Sequence, residues 1–163
     1  MKTKMEKLSM SAVMMATVFV VTRFIQIPIP LGYFNVGNCV ILLFCLTVDN
    51  HYGVAASGLG SALADLVSYP VYTLPTLAIK GFMAWVFIKD IRTHYKRKNA
   101  YVMAAAVATL IPLIGYTIAG GLIYGNILSG LVQFPGLAVE YAANLAIFAV
   151  MHKSILKLAV IRS

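Results

Sequence analysis

Thr76–Asn99 reads TLAIKGFMAWVFIKDIRTHYKRKN. Its first part is apolar apart from Lys80, and it closes in a cluster of basic residues. An apolar run that ends in Lys and Arg is how a membrane-spanning helix meets the cytoplasmic face. Lys80 breaks the pattern, because a charge at membrane depth is costly and faces a bundle interior or a wet cavity when it is kept.

The whole chain repeats this design. Of its 163 residues, 61% are hydrophobic and only 11% charged, against about a quarter charged in a soluble domain. The chain reads as an all-α integral membrane protein with a single domain over 1–163. The basic N-terminus precedes an apolar run long enough to span, without an A-x-A-like cleavage site, so it reads as a retained helix. Cys39 and Cys45 lie on one apolar run at positions about 240° apart on a helix, so they are expected to stay unpaired and buried.

Apolar runs predict six spans at about 8–24, 36–48, 53–67, 75–92, 100–121 and 136–158, several shorter than the usual ~20 residues. Between them, IQIPIPLGYFN reads as a Pro/Gly loop, SYPVYTLP as a second loop and LIYGNILSGLVQFP as a long third loop. Six spans put both termini on one side. That side receives Lys2, Lys4, Lys7, Lys89, Arg92, Lys96, Arg97, Lys98, Lys153, Lys157 and Arg162, against Glu6, Asp49 and Asp90. Both termini are therefore expected in the cytoplasm. All of the net charge of +8 falls there, so topology explains it better than nucleic-acid binding does.

The opposite half balances Arg23 and Lys80 against Asp65 and Glu140. Polar residues collect at the same level: Gln26, Asn35 and Asn38, then Tyr69 and Tyr72, then Asn126 and Gln133. Thr76 and Lys80 share a helix face, as do Glu140 and Asn144, and Tyr116, Gly120 and Tyr124 if the fifth helix runs that far. Polar stripes at one depth predict a pocket open to the outside. Each feature has a plainer reading. Arg23 would snorkel to headgroups, Asp65 and Lys80 would form a structural ion pair, the tyrosines would be interfacial belt residues, and Glu140 would make a structural hydrogen bond. Balanced charge favours a neutral or zwitterionic ligand, and aromatic residues beside charges suit a flat polar heterocycle.

Motor and catalytic motifs are missing. The sequence has no G-x-x-x-x-G-K-[ST], no H-E-x-x-H and no serine in a G-x-S setting, and His51, His94 and His152 are scattered. No enzyme activity, cofactor or metal is expected. No span carries a polar row along its full length, as a continuous pore needs. A pocket without a path or a motor calls for partners. Ala12 and Ala16 form a small-xxx-small face on the first helix, and Gly58 and Ala62 form another on the third.

Three stretches carry a family resemblance: Ala12-x-x-x-Ala16, GVAASGLGSALADL (Gly53–Leu66) and PTLAIKG (Pro75–Gly81). With them, over nearly its full length, the chain resembles the substrate-binding S components of energy-coupling factor (ECF) vitamin transporters, in the riboflavin, pyridoxine and hydroxymethylpyrimidine branch. The resemblance implies a six-helix bundle in the bacterial cell membrane that binds vitamin beneath loops one, three and five. It implies docking through Ala12 and Ala16 onto a transmembrane coupling (T) subunit that works with two ATPases. The polar stripes at one depth make Asn35, Asn38, Asp65, Tyr69, Tyr72, Thr76, Lys80, Tyr116, Tyr124, Gln133, Glu140 and Asn144 the expected substrate contacts. The chain departs from the branch at Asn38, where an acid is common, and at Glu140, where an amide is more usual. Both departures fall in the expected pocket, so the branch's substrate is not carried over, and the chain is short for the riboflavin subgroup. The favoured substrate is a small pyridine or pyrimidine, vitamin B6 or hydroxymethylpyrimidine, with Glu140 on a ring nitrogen or amine and Lys80 on a phenolate or carboxylate. Pantothenate and riboflavin remain as alternatives within the family. Outside it stand a self-sufficient channel or facilitator and a structural membrane subunit.

Overall fold

The computed structural model describes residues 3–29, 32–48, 51–94 and 99–161. Lys2, Asp49, Lys96, Arg97, Lys98 and Arg162, assigned above to the cytoplasmic side, lie outside the described residues. Among those described, the chain forms α1 (Lys4–Phe24), β1 (Gln26–Ile29), β2 (Gly32–Asn35), α2 (Gly37–Cys45), α3 (His51–Ser68), a 3-10 turn (Pro70–Tyr72), α4 (Thr73–His94), α5 (Ala100–Ile123) and α6 (Ile127–Ile161).

Helix α1 opens on a capping box. Thr3 Oγ1 accepts the Glu6 N–H at 3.2 Å, and Glu6 Oε2 accepts the Thr3 N–H at 2.9 Å. Its inward stripe is Ser11, Met14, Val18 and Thr22. Ala12 and Ala16 fall on the exposed side of the same helix.

The segments Lys4–Phe24, Pro70–His94, Ala100–Ile123 and Ile127–Lys157 are long and apolar enough to cross a membrane. The outward surface matches, with Leu122, Ile127 and Val150 each more than three-quarters exposed. Of the other two helices, α3 presents Leu59, Leu63, Leu66 and Val67 outward, and α2 is an interior element. At nine residues, α2 extends only about 13 Å, far less than the ~30 Å hydrocarbon layer. It packs against α1, α4 and α6, with Ile41, Leu42 and Cys45 fully buried. Neither cysteine is in a disulfide and both are buried, as expected.

Helix α3 sits between α1 and α4, and its small residues set the spacing. A Cβ on Gly58 would lie 2.8 Å from the Leu77 carbonyl oxygen on α4. Any side chain there would push the two helices apart.

Two connections differ from the sequence expectation. The stretch expected as a Pro/Gly loop is an antiparallel hairpin, pairing Gln26 with Asn35 and Ile27 with Phe34. Its short strands can tolerate Pro28 because a two-stranded ribbon has free edges. The expected third loop is mostly helix, because α6 begins at Ile127 and runs through Pro135. The chain turns earlier, at Gly125 with φ of 65°, a conformation open to glycine. Asn126 Oδ1 then accepts the Leu128 N–H at 2.9 Å and starts α6. Pro135 lacks only one backbone donor, which a packed membrane helix tolerates.

The two ends of the bundle differ in chemistry. At one end Met14, Val18, Ile41, Leu42, Phe87, Ala104, Ala108 and Phe148 form a continuous apolar core. Phe87 and Phe148 meet edge to face at 5.6 Å, and the His152 ring stacks on Phe148 at 5.5 Å. The other end holds the hairpin, the 3-10 turn and a buried polar network.

Candidate functional site

Each element brings one part of the network, and the helical spacing read from the sequence places it. Asp65 closes the buried face of α3. Thr76 and Lys80 point inward from α4, Tyr116 from α5, and Gln133, Glu140 and Asn144 from α6. The hairpin adds Tyr33 and Asn35. Asp65, Lys80 and Glu140 are each no more than 3% exposed, so every charge here must be answered by protein or by ligand.

Two clusters share the site. In the first, Asp65 accepts hydrogen bonds from the Tyr33 hydroxyl and from Thr76 Oγ1. Thr76 Oγ1 also lies 2.9 Å from the Tyr116 hydroxyl. Burial, and then the Asp65 carboxylate beside it, push the Tyr33 hydroxyl well above the ordinary tyrosine value. Tyr33 therefore stays protonated and donates. In the second cluster, Lys80 Nζ donates to Asn38 Oδ1. Asn38 Nδ2 donates to Glu140 Oε1 at 2.9 Å. Lys80 Nζ stands 4.0 Å from the same oxygen and 5.3 Å from the Tyr116 ring centre.

Amides hold the frame. Asn35 Oδ1 accepts the Gly37 N–H at 2.7 Å, and Asn144 Oδ1 accepts the Cys39 N–H at 2.7 Å. These are donors without a helical partner at the start of α2. Asn144 Nδ2 donates to the Asn35 and Glu140 carbonyls, both at 2.9 Å. One side chain thus ties hairpin, α2 and α6 together. Gln133 Nε2 donates to the Tyr72 hydroxyl at 2.7 Å. Gly120 makes room for it, since a Cβ there would fall 2.5 Å from Gln133 Nε2.

These residues enclose a cavity of about 40 Å³, room for a few waters. Its wall consists of Asn35, Asp65, Tyr69, Tyr72, Tyr116, Gln133 and Glu140, with Ile29, Tyr33 and Leu137 completing it. Seven of the twelve residues expected to touch substrate are therefore brought together in the wall. Asn38, Thr76 and Lys80 bond to wall residues from behind, and Asn144 spends its amide on the frame. Tyr124 lies just past the end of α5, is 42% exposed, and meets the site through its hydrogen bond to Tyr72.

Three polar residues are set apart. The Arg23 guanidinium rests 5.8 Å from the Phe24 ring centre and is absent from the cavity wall. Gln26 bonds to the Thr22 carbonyl and to Ser68 Oγ, and Asn126 caps α6. Tyr33 lines the cavity, a position that the sequence reading misses. Only the strand register, which pairs it with Pro28, turns it towards Asp65.

Among the described residues, a buried polar chamber lies above a continuous apolar core. The family model described as the ECF-type riboflavin transporter, S component, matches residues 2–158. The chain belongs to this family. It is an S component, the substrate-capturing membrane subunit of an ECF-type vitamin transporter, in agreement with the resemblance read from its sequence. A relative from Pyrococcus woesei, described as an uncharacterized protein in the gap 3′ region, is 35% identical over 114 residues. The match covers 66% of this chain and 74% of that protein.

Proposed function

We propose that this S component captures a small aromatic vitamin or precursor, vitamin B6 or hydroxymethylpyrimidine, from outside the cell. It would deliver that cargo to a T subunit driven by two ATPases. The observation that carries this reading is the chamber itself, where four tyrosines, two amides and two carboxylates meet. A flat heterocycle can stack on the phenols and hydrogen-bond around its edge. The cavity is small, so the hairpin residues Ile29 and Tyr33 move aside to admit a ligand.

In this reading residues 1–163 act as one membrane-embedded domain with both termini in the cytoplasm, in which the short α2 lies within the bundle and does not span the bilayer by itself. Asp65, Tyr69, Tyr72, Tyr116, Gln133 and Glu140 contact substrate, while Asn38, Thr76, Lys80 and Asn144 position them. Ala12 and Ala16 offer the T subunit a smooth exposed face. The apolar core beneath the chamber favours capture over conduction by a self-sufficient channel.

Vesicles containing the chain alone, and vesicles containing it with the T subunit and ATPases, provide the test. The purified chain is expected to bind one of the two favoured compounds, and uptake is expected only with partners and ATP. Uptake by the chain alone would establish a facilitator instead.

A further inference from the structure

The ionisable groups of the chamber do not balance. Asp65 and Glu140 stand in the cavity wall, and among the described residues no cationic side chain does. Lys80 is 2% exposed and held behind the wall by Asn38 and Glu140. It answers one carboxylate. Arg23, which would balance the other by sequence count, is turned away onto Phe24. The other partners of Asp65 are the hydroxyls of Tyr33 and Thr76, which donate hydrogen bonds but carry no charge. With both acids ionised this buried group holds one positive charge against two negative, a costly deficit that either a proton or a bound cation removes.

We infer that the ligand supplies this charge: the site takes an aromatic heterocycle that is positively charged when bound, through a protonated ring nitrogen or an amine, and rejects analogues bearing a carboxylate or phosphate. This deepens the proposed function and rests on it. Lys80 is then a positioning residue that fixes Asn38 and Glu140, and it does not contact the ligand. The four wall tyrosines fit the same ligand, since a cation is drawn to aromatic faces as well as to carboxylates. An anionic ligand would meet Asp65 and Glu140 directly, with Lys80 buried behind an amide.

The test is equilibrium binding to the purified full chain with a charge-graded panel: pyridoxamine, hydroxymethylpyrimidine, pyridoxine, nicotinate and pantothenate. The cationic or readily protonated members are expected to bind at least about tenfold more tightly than the carboxylates. Glu140→Gln keeps a partner for Asn38 and is expected to weaken the best-binding probe about ten- to hundredfold. Asp65→Asn serves as a second variant, and if either fails to fold, the ranking on the unaltered protein decides. Nicotinate or pantothenate binding as tightly as pyridoxamine would overturn the charge inference and leave vitamin capture standing. So would an unchanged ranking in both variants. No binding by any member would overturn both.

Discussion

Lys80→Met removes the buried ammonium and keeps much of its packing volume. In the native chain, Lys80 Nζ donates to Asn38 Oδ1 and lies 4.0 Å from Glu140 Oε1. Without it, Asn38 loses a donor and Glu140 is buried without its counter-charge. Breaking a buried pair from one side costs about 3–5 kcal/mol. At about 2–4 °C per kcal/mol for a chain this long, the thermal midpoint falls by about 6–20 °C. The assay is thermal unfolding of the purified protein in one detergent, with Glu140→Gln and the double variant alongside. The glutamine introduced by Glu140→Gln is neutral and still accepts from Asn38, so the double variant is expected to recover at least ~1 kcal/mol relative to the sum of the singles. If Lys80→Met leaves the midpoint unchanged, or costs the same in the Glu140→Gln background as in the native chain, the two residues are not coupled and the reasoning fails.

Other outcomes follow from particular contacts. Gly58→Ala places a Cβ against the Leu77 carbonyl and is expected to cost about 1–3 kcal/mol, measured by the same unfolding assay. Gly120→Ala displaces Gln133 from Tyr72; it is expected to weaken ligand binding several-fold with little loss of stability, seen by titration. Tyr33→Phe removes a donor to Asp65, and stopped-flow measurement should show faster ligand release. A bulky Trp at both position 12 and position 16 is expected to abolish ATP-driven uptake while affinity stays within about twofold, because both alanines lie on the exposed side of α1.

Much of the architecture is legible in the sequence because membrane helices announce themselves by apolar length. The spans expected at about 75–92 and 100–121 correspond to Thr73–His94 and Ala100–Ile123. The start of α6 is harder to place because Pro135–Gly136 reads as a break in a water-soluble helix. In a packed bundle it is no break, and the positive φ of Gly125 with the Asn126 cap sets the true turn. The hairpin escapes a sequence reading because QIPI and GYFN are too short, and too rich in Pro and Gly, to show a strand period.

Candidate-site residues on helices are readable from i, i+4 stripes and a shared depth, which bring Asp65, Thr76, Lys80, Tyr116 and Glu140 together. Tyr33 is not readable this way, since its direction depends on strand register. Tyr124 caps the end of α5 and reaches the candidate site only through Tyr72, outside the cavity wall. The charge balance also misleads, because a sequence count cannot tell an arginine that faces Phe24 from one that faces the chamber.

Native mass spectrometry of the chain released gently from its host membrane, with identification of any small molecule that stays bound, tests the central claim of vitamin capture most directly. One copy per chain of an aromatic, vitamin-type heterocycle is the predicted result. A chain that is empty as isolated, and still empty after challenge with B6 compounds and hydroxymethylpyrimidine, would contradict it.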